Sequence, residues 1–138
     1  VSRPHRLPDN EDDDPKAAFK IASQLVNSGL LVSIDVSGSM ERMNTRNLPF
    51  YAGSFAAYGL DKEEALQLIT LNSAKILGIN DKLGSLEVGK HATLFLSKGD
   101  ALDMRTNIIE HAFISGRELS LETHQTELWK RYSKKFQK

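Results

Sequence analysis

The spacing of apolar positions changes several times along this chain. Ala18, Ile21, Ala22, Leu25 and Val26 recur at helical intervals, and Gly29 supplies a stop. Ahead of them, Asp14 and Pro15 read as an N-cap acid with proline at the first helical position. The run Leu30-Leu31-Val32-Ser33-Ile34 follows at once, and its mostly apolar character predicts a strand buried on both faces. Helix, glycine and buried strand, in that order, are the rhythm of an α/β protein. Residues 1–10, with Pro4 and Pro8, read as an irregular or strand-edge segment.

Residues 35–47 are polar and predict a loop. Small and aromatic residues at 50, 51, 55 and 58 predict a helix over 48–58, ended by Gly59. A further helix begins at Asp61, where Asp61 and Glu64 form an aspartate version of the capping box. Leu60 and Ala65 occupy the positions of a hydrophobic staple. The apolar face of that helix includes Leu66, Ile69, Ala74 and Leu77, and Gly78 ends it. Asn72 is placed to cap a fresh helix, so one bent helix and two short ones both fit.

Beyond Gly78 the texture turns to short strands, at 85–88, 92–97 and 108–115, punctuated by glycines at 84, 89, 99 and 116. Ser115-Gly116 reads as a tight hairpin turn. Residues 122–136 read as an exposed helix on which Trp129 and Tyr132 serve as anchors. Three regions result: 1–80, 81–121 and 122–138.

Composition removes several classes of function. Acids and bases balance at 18 each in 138 residues, so no net field points to nucleic acid or an anionic membrane. The chain lacks cysteine, which excludes disulfides, thiolate metal sites and thiol nucleophiles while leaving the compartment open. No apolar stretch approaches the roughly 20 residues of a membrane-spanning helix. No signal peptide opens the sequence, which in a piece of a longer protein says nothing about the whole.

Several motifs lie in order along one stretch. They are Ala65-Leu66-Gln67-Leu68-Ile69-Thr70-Leu71-Asn72-Ser73-Ala74-Lys75-Ile76-Leu77-Gly78-Ile79, then Leu83-Gly84-Ser85-Leu86-Glu87-Val88-Gly89-Lys90, then Gly99-Asp100, then Phe113-Ile114-Ser115-Gly116-Arg117-Glu118. Together they resemble the C-terminal part of the amidohydrolase superfamily, nearest its imidazolonepropionase-like members, over residues 47–121. The resemblance implies the end of a (β/α)₈ metal-dependent hydrolase barrel beside the C-terminal strands of an accessory β-sandwich, or composite, domain. It makes the helix over 14–29 one of the last barrel helices, 30–34 the eighth strand and 48–78 the closing helices. The His-x-His ligands of a first strand would lie in chain preceding residue 1.

The same resemblance implies a divalent metal, zinc above all, and hydrolysis of an amide or cyclic amide carbon–nitrogen bond. A small-molecule amide and the remainder of the barrel would be the partners. This chain by itself, lacking most ligands, would be inactive and would self-associate through exposed edges. The eighth strand of such enzymes delivers an aspartate that binds metal and takes a proton from the attacking water. Asp35 stands near that point, outside the usual Gly-Thr-Asp or Gly-Ser-Asp context. It is the candidate catalytic and metal-binding residue, or else a loop residue of a degenerate member; a shift of alignment puts Ser37 or Ser39 there instead. Gly89-Lys90-His91-Ala92-Thr93 also replaces the usual Gly-Lys-Asp-Ala-Asp, which predicts a local rearrangement.

Taken alone, Asp35-Val36-Ser37-Gly38-Ser39 resembles the magnesium site of von Willebrand A domains, where an aspartate and two serine hydroxyls supply oxygen ligands. That makes a non-catalytic binding module the alternative. Its context is poor, because a polar loop and Pro49 follow where a long helix is required. His5, His91, His111 and His124 show no ligand spacing, although His5 precedes the first helix and is placed to reach a strand's catalytic end. The acidic run over 11–14 lacks the glycine and closing glutamate of a calcium loop.

Overall fold

The computed structural model describes residues 1–2, 5–38 and 40–136. It is an α/β arrangement with most of its helices in the first part of the chain, a small antiparallel sheet after them and one further helix at the end.

The first helix, α1, is Ala17–Asn27. It begins later than Asp14-Pro15 suggests: the Asp14 carboxylate accepts from the Lys16 amide at 2.9 Å in a turn before the helix, and Lys16 is the N-cap. Residues 41–47, expected as loop, form a 3₁₀ helix leading into α2, Leu48–Ala57. Pro49 sits in the first turn of α2, where its missing N–H costs nothing. Asp61 caps α3, Lys62–Gln67, accepting from the amides of Glu63 at 2.8 Å and Glu64 at 3.3 Å. A break follows, and Leu71–Ile76 forms α4 with Thr70, not Asn72, at its N-cap. Two short helices are therefore the outcome, and Asn72 lies within the second.

These helices enclose the core. Ala22, Val32, Ile34, Ala52, Phe55, Leu60, Ala65 and Leu68 form one buried cluster, with Phe55 and Leu68 wholly enclosed. Leu60 and Ala65 belong to it, as the staple requires. Burying two such large side chains contributes about 1.5–3 kcal/mol each.

Residues 30–34 run extended but form no full strand, and only one of their faces is buried. Val32 and Ile34 turn into the core while Leu30 and Leu31 are half-exposed. Pairing is limited to a parallel bridge between Ser2 and Asp35, because only Val1 and Ser2 run alongside among the described residues.

The sheet consists of β1, Leu94–Ser97; β2, Ile109–Ile114; and β3, Arg117–Glu118, in that order. Ser115 and Gly116 both have positive φ, 50° and 78°, as a two-residue type I′ turn demands. Residues 85–88, expected as a strand, are irregular; there Lys90 Nζ reaches Ser85 Oγ at 2.5 Å and Glu87 Oε1 at 3.2 Å. The last helix, α5, is His124–Ser133, with Thr123 and Thr126 forming a capping box. Trp129 is 67% exposed and Tyr132 nearly half exposed, so they do not anchor α5 to the rest of the described chain.

Candidate functional site

Asp35 stands where the extended segment ends. Its amide donates to the Val1 carbonyl at 2.8 Å, and the Val1 nitrogen donates to the Ser33 carbonyl. Two chain segments thus run parallel with α1 between them, and Asp35 leaves the C-terminal end of the second. Alternation sets its direction: Val32 and Ile34 face the buried core, so Asp35 faces the other way. An open, mostly apolar groove of about 630 Å³ lies along this segment, and Leu31, Ser33, Asp35 and Leu77 are among its lining residues.

The carboxylate is exposed and its oxygen accepts from the Ser37 amide at 2.8 Å. The Ser37 hydroxyl first, then that amide, hold the Asp35 carboxyl below the ordinary carboxylate range. It is therefore an ionised oxygen donor at neutral pH, suited to a hard or borderline divalent cation. Among the described residues, no group of three or more His, Cys, Asp or Glu comes together. Asp35 thus stands, among the described residues, without the companions that a complete metal site needs.

Ser37 is thus a partner of Asp35, while Ser39 lies outside the described residues. The 3₁₀ helix Glu41–Asn47 stands where an adhesion-type domain needs a long amphipathic helix.

His5 goes elsewhere. Its ring packs edge-on to Tyr51, centroids 4.8 Å apart, and tilted against Phe19 at 5.3 Å. Nε2 lies 3.0 Å from Ser54 Oγ, and that hydroxyl donates to the Phe50 carbonyl. When the Ser54 hydroxyl donates to the Phe50 carbonyl, it can only accept from His5. His111 pairs with Glu118 on the sheet.

The recognised motif has a structural meaning that its letters do not give. Asn72 Nδ2 donates to the Val32 carbonyl at 3.0 Å, and Ser73 Oγ lies 2.7 Å from Ser33 Oγ. The motif thus ties α4 to the segment that ends in Asp35. By its sequence Asn72 reads as a cap; the signal for its other role is the pair of polar residues just before Ala74, the buried residue of α4. Gly99-Asp100 likewise opens a loop held to the helices by Lys62 and Asp100, Nζ to Oδ2 2.6 Å. In the same loop Arg105 beside Asp103 lowers that carboxyl to about 2.

The model of the amidohydrolase family matches residues 16–119, well over half of the chain. The imidazolonepropionase of Syntrophobacter fumaroxidans is 37% identical over 79 residues, which cover 56% of this chain and 19% of that protein. The imidazolonepropionase of Shewanella oneidensis is 59% identical over 39 residues, 28% of this chain and 10% of that protein. The crystal structure of an amidohydrolase from Thermotoga maritima MSB8 superposes with a TM-score of 0.64 at 27% identity, over 80% of this chain and 29% of that one. The matched part of this chain thus spans less than a third of each of these proteins, and nothing among them supports an adhesion-type module.

Proposed function

The chain belongs to the amidohydrolase family, and from that premise we propose that it is the C-terminal part of a metal-dependent hydrolase acting on amide or cyclic amide carbon–nitrogen bonds. In this reading residues 1–80 supply the last strands and helices of a (β/α)₈ barrel, 81–121 part of the accessory β-sandwich and 122–138 a terminal helix. The observation that carries it is the parallel bridge between Ser2 and Asp35 across α1. A strand, a helix and a parallel strand with a carboxylate at its C-terminal end form the repeating unit of such a barrel, and that end is where barrels do chemistry.

A divalent ion, zinc in this reading, would be held in part by Asp35 and would supply Lewis-acid activation of water and of the scissile carbonyl. Asp35 is this chain's share of that site: an exposed carboxylate, kept ionised by Ser37, able to ligate and to accept a proton. The other ligands belong to the rest of the barrel, so this chain alone is inactive. Its partners are that remainder and a small amide substrate. The groove beside 30–35 and the apolar residues on both faces of the sheet, Phe95 and Leu96 among them, favour self-association when it is isolated.

The test is the longer polypeptide, loaded with zinc and assayed on amides and cyclic amides. Asp35→Asn should lower kcat about 10²–10⁴-fold with the circular dichroism unchanged. Turnover unaffected by that substitution would remove Asp35 from the site, and turnover by the 138-residue chain alone would sink the fragment reading.

A further inference from the structure

The segment carrying Asp35 is held along both edges, and the two holds differ. On one edge the hold is main chain: Val1 bridges the Ser33 carbonyl and the Asp35 amide. In an extended chain the groups of Val32 and Ile34 point to the opposite edge. No strand meets them there among the described residues. Instead Asn72 Nδ2 donates to the Val32 carbonyl at 3.0 Å, from 40 residues away in sequence. The Ile34 amide donates to the Leu68 carbonyl at 3.3 Å. Ser73, beside Asn72, donates to that same Leu68 carbonyl at 3.0 Å and meets the Ser33 hydroxyl at 2.7 Å.

These contacts fix a register. Leu68 and Ala74 are buried, so the α3–α4 junction is rigidly seated, and Asn72 is a donor at a fixed place. Val32 and Ile34 fill the core, and Asp35 stands on the other face. Because side chains alternate with a period of two, a slip of one residue exchanges the faces. It would turn Asp35 toward Phe55 and Leu68, where an ionised carboxylate is costly. A slip of two would keep the face but carry the carboxylate about 6–7 Å along the strand. The hold from Val1 does not prevent either slip, since main-chain groups accept any register. The Ser33 hydroxyl opposite Ser73 exists at one register only.

We infer that the Asn72-Ser73 pair is a positioning device: Asn72 holds the free edge of the segment through the Val32 carbonyl, and Ser73, through the Ser33 hydroxyl, fixes the face and the height at which Asp35 leaves its end. Its consequence for catalysis rests on the reading of Asp35 given above, whereas the hold on the register does not.

The experiment is amide hydrogen exchange by NMR on the whole chain, without metal or substrate, using wild type, Asn72→Ala and Asn72→Gln. In Asn72→Ala, exchange at Ile34 and Asp35 should quicken about tenfold relative to the amide of Phe55 in α2, with the Ser2–Asp35 cross-peaks weakened. Asn72→Gln, which keeps an amide donor one methylene further out, should recover part of the protection. Equal quickening at Ile34, Asp35 and Phe55 would mean general loosening and would overturn the inference, as would no change at any of them. Should Asn72→Ala not fold, Ser73→Ala gives the same reading: selective quickening at Asp35 supports the inference, and its absence refutes it. Loss or survival of hydrolysis in Asp35 variants bears on the proposed activity and leaves these exchange rates as they are.

Discussion

His5 and Ser54, 49 residues apart, are joined by a 3.0 Å contact between Nε2 and Oγ that closes the N-terminal segment onto α2. The ring is partly enclosed by Phe19 and Tyr51, and burial lowers the His5 pKa below its ordinary value. A histidine whose folded pKa is depressed binds its proton more weakly when folded than when unfolded. Its contribution to stability is therefore present above the unfolded value of about 6.5 and is lost as pH falls through the folded pKa. Urea midpoints should drop as pH falls from about 7 to about 5. In His5→Gln, which keeps a donor but cannot titrate, that part of the drop should vanish. An identical pH profile in the variant would remove His5 as its cause.

Gly53 lies so close to the next part of the chain that no side chain fits. A Cβ built there would stand 2.1 Å from the Leu102 carbonyl oxygen, a main-chain atom with little freedom to move. Gly53→Ala must push the 100–106 loop off α2, and the expected cost is about 1–3 kcal/mol in equilibrium urea unfolding. A neutral substitution would show that the loop yields freely.

Phe55 is wholly buried at the centre of the helical cluster. Phe55→Ala should cost about 3–5 kcal/mol, a large share of the stability of a domain this size. Trp129→Ala on α5, whose ring is exposed, should change stability by no more than about 0.5 kcal/mol. Comparable losses at the two positions would show that α5 is seated on the core in solution.

Ser115 holds a left-handed φ of 50° in the hairpin between β2 and β3, and Gly116 follows at 78°. Asparagine tolerates that conformation better than serine and is favoured at the first position of a type I′ turn. Ser115→Asn should stabilise the hairpin by about 0.5–1 kcal/mol, seen as slower amide exchange at Phe113 and Glu118. Faster exchange there would mean that the bond from the Ser115 amide to the Thr93 hydroxyl, 3.1 Å, needs serine's own backbone geometry.

Local rules in the sequence were enough for much of this architecture. The helical spacing around Ala22, the glycine stops, the Asp61 cap with its Leu60–Ala65 staple and the Ser115-Gly116 turn each depend on residues within a few positions of one another. So does the ordered motif over 65–118 that marks the family. For the same reason the weakest local signals misled. Nothing near Leu30–Ile34 reveals that its neighbour is Val1–Ser2 and that one face stays open. Nothing near Trp129 tells that its ring stays exposed among the described residues.

The tertiary structure alone decided which side chains act on one another. Asn72 reads as a helix cap until α4 packs beside Val32, and Gly53 is unremarked until Leu102 reaches it. His5, distant in sequence from Tyr51 and Ser54, is claimed by those two and not by Asp35. Helices, caps and turns form from contacts a few residues long, whereas a register or a close approach is set by chain segments that meet only after folding.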